Sequence, residues 1–292
     1  MRPIFQSSDC DQTLRRKGWV RTPLLDSRQV TALRARIDEL QPADGFAPGA
    51  EDPQRPTYHC TYLDPKVEYR RASDHLIREF FAAPLKELLA DYRILTSNIH
   101  VKPPGQGALM IHQNWPTTAQ LSDTTVTAWC PLIDVDETNG ALQVIDGSHK
   151  LLPEVANFAS TPYFHSFEAA LKEKYFVPLE TTAGEAVIFD DSLLHYSADN
   201  RTGQARVAIQ IELVPRELTT VIHWLDPAQP ERFEVLAADS DFYVEVGPAL
   251  FAGRPDLPSL GFVDNRNRQI DEAEFAALLS RGQEIRATIY GA

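Results

Sequence analysis

Apolar positions near the start of the chain follow a helical period. In residues 27–40 they recur every three or four positions, and Asp26 with Gln29 supplies the capping box of an amphipathic helix. A second helical pattern runs from about 68 to 92, and we expect an interruption near Pro84. The N-terminal part of the chain is therefore predicted to be mainly helical.

The hydrophobic pattern changes to alternation near residue 93. Between 124 and 132, for example, Val126, Ala128 and Cys130 alternate with more polar neighbours. Strands are predicted at 94–101, 108–115, 124–132, 141–145, 186–189, around 195 and at 206–214. Short strands cut by turn signals, such as the one at Asn139-Gly140, are typical of a closed sandwich or barrel.

These patterns predict one mainly β (α+β) domain over residues 1–292. It comprises an N-terminal helical part at about 15–92, a barrel core at about 93–215 and a C-terminal extension at about 216–292. The extension is expected to hold polar loops and one helix capped by Asp271. Two long segments are expected to shape the mouth of a substrate site: the proline-rich stretch at 41–58 and the excursion at 151–176.

The net charge of the chain disfavours some kinds of binding partner. A formal net charge of −13 argues against nucleic acid and against an anionic membrane surface. It still permits a small acid that is held by one or two arginines. No apolar run approaches the ~20 residues that a membrane span requires.

The cysteines indicate the compartment. Three cysteines without a CxxC pair predict a reduced, cytoplasmic protein rather than a disulfide framework. The first residues also lack the apolar segment of a secretory signal.

Four polar residues in the barrel region have the order of a mononuclear iron site. His112 and His195 are too far apart to meet within one helix, but they can meet as the ends of two strands of a curled sheet. Asn114 lies two residues after the first histidine, and Arg206 lies eleven residues after the second. In such sites two histidines and a carboxylate hold iron, and a chelating 2-oxo acid takes two of the open positions. Arginine suits the far carboxylate of that acid, because its guanidinium binds carboxylates in a bidentate manner.

Several short motifs, each weak alone, occur in a specific order. They are Gly18-Trp19-Val20, His112-Gln113-Asn114-Trp115, Ala128-Trp129-Cys130-Pro131-Leu132, Asn139-Gly140-Ala141-Leu142, Gly147-Ser148-His149 and His195-Tyr196-Ser197 with Arg206. Over about residues 15–215 the chain thereby resembles the phytanoyl-CoA dioxygenase family of iron(II)- and 2-oxoglutarate-dependent oxygenases.

The resemblance implies a fold, cofactors and roles. The fold is a double-stranded β-helix (jelly roll), and the cofactors are Fe(II) and 2-oxoglutarate. His112 and His195 become iron ligands, with Asn114 at the carboxylate position. Arg206 and Ser197 hold the distal carboxylate of 2-oxoglutarate, beside Trp129. The implied activity is O2-dependent hydroxylation, or another oxidation, of a C–H bond in a small molecule.

Asn114 departs from the family pattern, which is His-x-Asp. None of the eight histidines is followed two residues later by an acid. Three alternatives follow: an active oxygenase with a neutral third ligand, or with a carboxylate supplied by Asp190 or Asp191; a halogenase-like variant with chloride at the vacated position; or a protein that binds without redox chemistry. A metal-dependent isomerase or epimerase that ignores 2-oxoglutarate is a further competitor.

Two more residues are candidates for substrate contact. Asn98 and His100 lie two residues apart, so their side chains are on the same face of the strand predicted at 94–101. If that face lines the barrel mouth, both side chains reach the substrate.

Overall fold

A six-stranded antiparallel sheet forms one wall of the molecule. The computed structural model describes residues 2–46 and 57–290. In spatial order the strands of this sheet are β1 (Trp19–Pro23), β8 (Glu185–Asp190), β5 (Val126–Pro131), β10 (Arg206–Pro215), β3 (Tyr92–Lys102) and β2 (His59–Cys60). The central strand β10 pairs with β3 on one side and β5 on the other.

A smaller four-stranded sheet lies opposite. In spatial order its strands are β4 (Leu109–His112), β9 (His195–Ser197), β6 (Leu142–Val144) and β7 (Val177–Pro178). Trp129, Phe189 and Ala208 of the large sheet pack with Leu142 and Val144 of the small one in a single apolar cluster. Two antiparallel sheets with their inner faces packed together form the expected jelly roll.

Helices cover the outer face of the large sheet. They are α1 (Ser8–Lys17), α2 (Ser27–Asp38) and α3 (Val67–Leu88). Leu33 of α2 and Phe81 of α3 pack with Ile209 and Ile211 of β10 in the largest apolar cluster among the described residues. The capping box predicted for α2 is present, since Asp26 and Gln29 exchange side-chain-to-backbone hydrogen bonds.

In the N-terminal region one prediction was wrong, and one helix was not predicted. Helix α3 runs through Pro84 without interruption. Proline lies near the C-terminal end of this helix, and the buried Phe81 and Leu85 hold both sides of it against the core. Helix α1 was not predicted because it carries one buried apolar residue, Leu14, and no apolar stripe.

Further elements come from the C-terminal region and from 151–176. They are α4 (Glu168–Lys174), β11 (Val221–Leu225), β12 (Arg232–Ala237), α5 (Ser240–Val246), β13 (Ser259–Asp264) and α6 (Glu272–Tyr290). Helices α4 and α6 pack on the outer face of the small sheet, and Asp271 caps α6 as predicted. The three-stranded sheet β11–β12–β13 was not predicted, because its strands are separated by polar loops that hide the alternation.

The prediction for the loop at 41–58 can be compared with the structure only in part. Residues 47–56 lie outside the described residues. Within the described ranges, no helix combines the length and the apolar composition needed to cross a membrane.

Replacing Phe81 with alanine tests the contact between helix and sheet. Its side chain is 0% exposed, and we expect the free energy of unfolding to fall by about 3–5 kcal/mol through lost burial and a residual cavity. Urea unfolding followed by circular dichroism measures the change. His75→Ala, an exposed position on the same helix, is the matched control and should stay within about 0.5 kcal/mol of the parent protein. A loss at Phe81 no larger than the control's contradicts the packing described above.

Candidate metal and 2-oxoglutarate site

The pairing of β4 with β9 brings the two predicted histidines together. His112 and His195 are direct register partners, and their ring centroids lie 4.0 Å apart. The contact exists because the two strands lie side by side in the small sheet, although 83 positions separate them in the sequence (195 − 112).

Both imidazoles are oriented in the same manner. Nδ1 of His112 donates to the backbone oxygen of Met110 at 2.9 Å, and Nδ1 of His195 donates to that of Leu193 at 2.9 Å. A carbonyl oxygen only accepts, so Nδ1 carries the proton and each neutral ring keeps its lone pair on Nε2. Burial lowers the pKa of both histidines, that of His195 further because His112 lies beside it. Two neutral imidazoles with free Nε2 atoms are a chemically suitable pair of metal ligands.

Asn114 is held by a small polar network. Its Nδ2 donates to Thr127 Oγ1 at 2.8 Å and to Asp191 Oδ1 at 3.0 Å, while Thr127 donates to the same carboxylate oxygen at 2.7 Å. The reversed amide would place its oxygen against that carboxylate, so the network fixes which amide atom faces Asp191. The amide oxygen, the atom able to coordinate a metal, therefore points away from Asp191.

The acidic residues near the histidines do not complete a three-ligand cluster. Across the described ranges, no aspartate or glutamate joins His112 and His195 in a group whose donor atoms all lie within 4.8 Å of one another. Asp191 instead bonds to Asn114 and Thr127, and Asp190 accepts from the backbone and side chain of Ser192 in a turn. The alternative that Asp190 or Asp191 supplies the third ligand is not supported by this arrangement.

Arg206 lies buried at the start of β10. Its side chain is 2% exposed, and its Nε and Nη1 have no hydrogen-bond partner among the described residues. The guanidinium lies over the Trp129 ring, 5.3 Å from its centroid. Burial lowers the pKa of Arg206 to about 10, which leaves it charged at neutral pH. Because an unpaired buried cation is costly, this position requires an anion.

Residues around Arg206 add to the same basic pocket. Its register partner on β3 is Lys102, whose Nζ donates to the backbone oxygens of Ser197 and Ala198 at 3.2 and 2.5 Å. Ser197 thus lies next to the basic pair, two residues beyond His195 on β9. Burial, together with Arg206, lowers the pKa of Lys102 to about 6, so its amine is largely neutral at neutral pH and Arg206 carries the positive charge of this pocket. The sequence did not lead us to predict Lys102, which lies two residues after His100 on the same face of β3.

The predicted substrate residues line a cavity beside the histidines. This cavity has a volume of about 250 Å³, and Asn98, His100, His112 and Asn114 all contribute to its wall. Burial, followed by the charge of Arg206, lowers the pKa of His100 to about 3, so its ring is neutral. The 151–176 segment contributes Phe158 to the wall, in line with its predicted role at the mouth.

Sequence reasoning missed further parts of this cavity. They are Tyr62, both Gln210 and Glu212 of β10, and Tyr243, Leu250 and Phe251 of the C-terminal region. Tyr58, by contrast, belongs to the 41–58 stretch that was expected to shape the mouth, and it lines this cavity. The alternation of β10 contained a signal for two of them, since Gln210 and Glu212 share the face of Arg206. The C-terminal residues carry no comparable signal, because only the chain's path brings them here.

A cluster of Asp44, His59 and Asp64 also has metal-ligand spacing. The atoms that could bind a metal already form hydrogen bonds within the protein: His59 bonds to Asp44 at 2.7 Å and to Tyr69 at 2.8 Å. Asp64 accepts from the backbone nitrogens of Ala43 and Lys66. These hydrogen bonds connect the end of the described 2–46 range to β2 and α3.

Comparisons with known proteins give results that agree with this geometry. The chain is 28% identical over 153 residues to phytanoyl-CoA dioxygenase 1 of Oryza sativa subsp. japonica, covering 49% of this chain and 54% of that protein. It thus spans about half the length of the curated relatives that it matches.

Solved structures share the fold. The non-heme alpha-ketoglutarate-dependent carbocyclase SnoK from nogalamycin biosynthesis aligns with a TM-score of 0.56 at 23% identity, over 75% of this chain and 90% of that chain. The epimerase SnoN, in complex with Fe3+, alpha-ketoglutarate and nogalamycin RO, aligns with a TM-score of 0.51 at 17% identity, over 89% and 94% of the two chains.

The sequence model described as phytanoyl-CoA dioxygenase (PhyH) matches residues 14–208. This range contains both histidines, Asn114 and Arg206, and it is more than half of the chain. The chain therefore belongs to the phytanoyl-CoA dioxygenase family.

Proposed function

We propose that this protein is an Fe(II)- and 2-oxoglutarate-dependent oxygenase that acts on a C–H bond of a small molecule. The observation that carries the proposal is the pair of neutral, register-matched imidazoles beside a buried, unpartnered guanidinium. His112 and His195 bind the metal through Nε2, and Asn114 supplies the third donor through its amide oxygen. Arg206 binds the distal carboxylate of 2-oxoglutarate, with Ser197 and Trp129 beside it. Family membership and the 2-oxoglutarate-dependent proteins that share the fold support this assignment.

The residues present fit these cofactors. The two histidines keep the tautomer that a divalent metal needs, and Arg206 has two donors directed at no other described residue. When bound, iron and the oxo acid supply O2-dependent oxidation of a C–H bond, while the oxo acid becomes succinate and CO2. The protein's own contribution is to hold the acid by its far end, to fix both imidazoles and to limit water in the cavity.

Asn114 with Asp191 compensates in part for the missing carboxylate. A neutral amide is a weaker donor to a hard cation than a carboxylate is. Here the amide nitrogen donates to the Asp191 carboxylate, which polarises the amide and makes its oxygen more negative. In the family's His-x-Asp pattern the carboxylate binds the metal directly. Here the carboxylate is that of Asp191, and it acts through its hydrogen bond to the Asn114 amide.

The alternatives have less support. The side chain of Asn114 occupies the position that a halogenase leaves open for chloride, and Thr127 and Asp191 hold it there. A binding protein without chemistry leaves the convergence of imidazoles and guanidinium without a purpose. Both remain outcomes of the experiments below.

The chain's organisation and location are part of the same proposal. We propose that residues 1–292 act as one unit, because the barrel, the 151–176 segment and the C-terminal region all line one cavity. We also propose a cytoplasmic location, which is supported by three cysteines that are all free. The partners are a small molecule and O2, and the acidic surface does not favour nucleic acid.

Alanine at either histidine should abolish metal binding. Anaerobic titration with Fe(II) or Co(II), followed by calorimetry, should show affinity reduced by more than about 100-fold for His112→Ala and His195→Ala, and no succinate formed from 2-oxoglutarate. His165→Ala, an exposed histidine in the 151–176 segment, is the control. Metal affinity that survives both histidine changes contradicts the proposed site.

Loss of the guanidinium should weaken 2-oxoglutarate binding without removing the metal. For Arg206→Ala we expect the Kd of 2-oxoglutarate to rise at least about 30-fold, because the acid's carboxylate loses a buried charged partner. Arg206→Lys should recover only part of the affinity, since an ammonium lacks the bidentate geometry. Arg201→Ala, at an exposed arginine in the preceding turn, should bind 2-oxoglutarate as the parent does. Equal Kd values for Arg206→Ala and Arg201→Ala rule out the assigned role.

A charge swap tests the coupling of Asn114 to Asp191. Asn114→Asp alone adds a carboxylate about 3 Å from Asp191, where repulsion offsets part of the gain in metal affinity. Asn114→Asp combined with Asp191→Asn restores an amide-to-carboxylate hydrogen bond with the charge on the metal side. We expect this double variant to bind Fe(II) or Co(II) most tightly, with a coupling energy of about 0.5–3 kcal/mol in the double-mutant cycle. Additive effects of the two changes would show that the pair does not act as a unit.

A further inference from the structure

The cavity beside the histidines has an aromatic end. Trp115, Phe158 and Phe251 form a contiguous cluster with ring centroids 5.4–6.0 Å apart, and Tyr62 lies 6.3 Å from Phe251. These four rings come from four separate parts of the chain and line the same space as His112. A cavity with this lining suits the apolar body of a small molecule.

A carboxylate enters this aromatic end from β10. Glu212 shares the inward face of the strand with Arg206, and its register partners are Thr96 on β3 and Thr127 on β5. Its carboxylate makes no hydrogen bond or ion pair with the described residues. Burial, followed by the charge of Asp191, raises the pKa of Glu212 to about 8. The half-buried side chain therefore lines the cavity without a partner among the described residues, which leaves its carboxyl available to a ligand.

Two hydroxyls of the same cavity are also without partners. The hydroxyl oxygens of Tyr62 and Thr117 are buried and lack hydrogen bonds within the described part of the chain. Tyr62 and Glu212 both line this cavity, and burial, followed by the charge of Glu212, raises the pKa of Tyr62. An unpaired carboxylate and unpaired hydroxyls in one space indicate a polar ligand group that satisfies them together.

The sign of that ligand group follows from the distribution of charge. Arg206 and Lys102 lie at one end of β10 and β3, while Glu212 and Asp191 lie toward the other. Six residues of strand, about 20 Å, separate Arg206 from Glu212. Arg206 therefore attracts an anionic cosubstrate to its own end of the strand. At the other end, a pKa of about 8 leaves the Glu212 carboxyl largely protonated at neutral pH while no ligand is bound, and a bound cation favours its ionised form. A cation at the glutamate end pairs with the carboxylate and also gains from the adjacent aromatic faces.

We propose that this cavity binds a small amine as substrate, with its ammonium group held by Glu212 and Tyr62 and its apolar body against Trp115, Phe158 and Phe251. That the bound amine is then oxidised rests on the proposed function, whereas the binding itself does not. The ammonium anchors the molecule at Glu212, and the apolar body lies along the aromatic rings in the space that His112 also lines.

Matched probes test the sign of the charge directly. We would compare 2-phenylethylamine with its neutral counterpart 2-phenylethanol, using saturation-transfer NMR and quenching of tryptophan fluorescence, on the full chain without iron or 2-oxoglutarate. The amine should bind at least about tenfold more tightly than the alcohol, the preference expected of one buried ion pair. Equal affinity for the two probes, or a preference for the alcohol, would overturn the proposal.

Variants assign the preference to Glu212. In Glu212→Gln the ratio of amine to alcohol affinity should fall to about one, while Glu180→Gln, at an exposed glutamate, should keep the parent's ratio. Tyr62→Phe should lower amine affinity several-fold and leave alcohol affinity less affected. A ratio in Glu212→Gln as large as the parent's refutes the assignment.

The thermal stability of Glu212→Gln separates binding from a structural role. Glu212→Gln exchanges a carboxyl that has no hydrogen-bond partner among the described residues for a neutral amide of the same shape, so the Tm should stay unchanged or rise. A lower Tm indicates a structural partner for the carboxylate and counts against the proposal.

The two proposals fail separately. An amine preference without iron-dependent succinate formation removes the oxygenase and keeps the amine site. Succinate formation without an amine preference does the reverse.

Discussion

The arrangement of the site depends on one pairing, that of β4 with β9 in the small sheet. It sets His112 opposite His195, and the Nδ1 of each imidazole bonds to the backbone oxygen two residues earlier. Met110 lies where the register of β4 with β9 is irregular, and Leu193 lies in the bend before β9. The backbone thus fixes both the position and the tautomer of each ring. A shift of register by one residue would turn one imidazole to the other face of the sheet.

The large sheet supplies the second requirement, a polar inner face within an apolar frame. On β10 the odd-numbered residues pack against the N-terminal helices, while the even-numbered residues face the interior. Arg206 and Glu212 lie at opposite ends of that face, and within residues 2–46 and 57–290 neither side chain pairs with a group of opposite charge. Under the functions proposed above, each end of the strand would be completed by its own ligand.

Asn114 illustrates how a family site can change while its geometry persists. The residue occupies the expected place after His112, and its backbone nitrogen donates to the backbone oxygen of Asp191 at 2.8 Å. Its side chain joins Thr127 and Asp191 in a network that a carboxylate at 114 would strain through repulsion. The asparagine and the aspartate are therefore best understood as a matched pair. The replacement of the family's aspartate by Asn114 can therefore be understood only together with Asp191, to which the asparagine amide donates.

The sequence by itself determined the elements and the order of the main site residues. Alternation located the strands of the barrel, a capping box located α2, and the spacing of His112, Asn114, His195 and Arg206 identified the family's site. These signals are local or follow a fixed order, so they can be read without coordinates.

Only the tertiary structure decided what surrounds those residues. The bond between Asn114 and Asp191, the basic pair of Arg206 with Lys102, and the aromatic wall at Phe251 each join segments that are remote in sequence. Whether a buried charge has a partner is likewise a property of packing, because it depends on every chain segment that reaches the same space. Composition and hydrophobic periodicity indicate which residues of each segment are buried. Contacts between segments determine which buried charged groups have no protein partner and are available to a ligand.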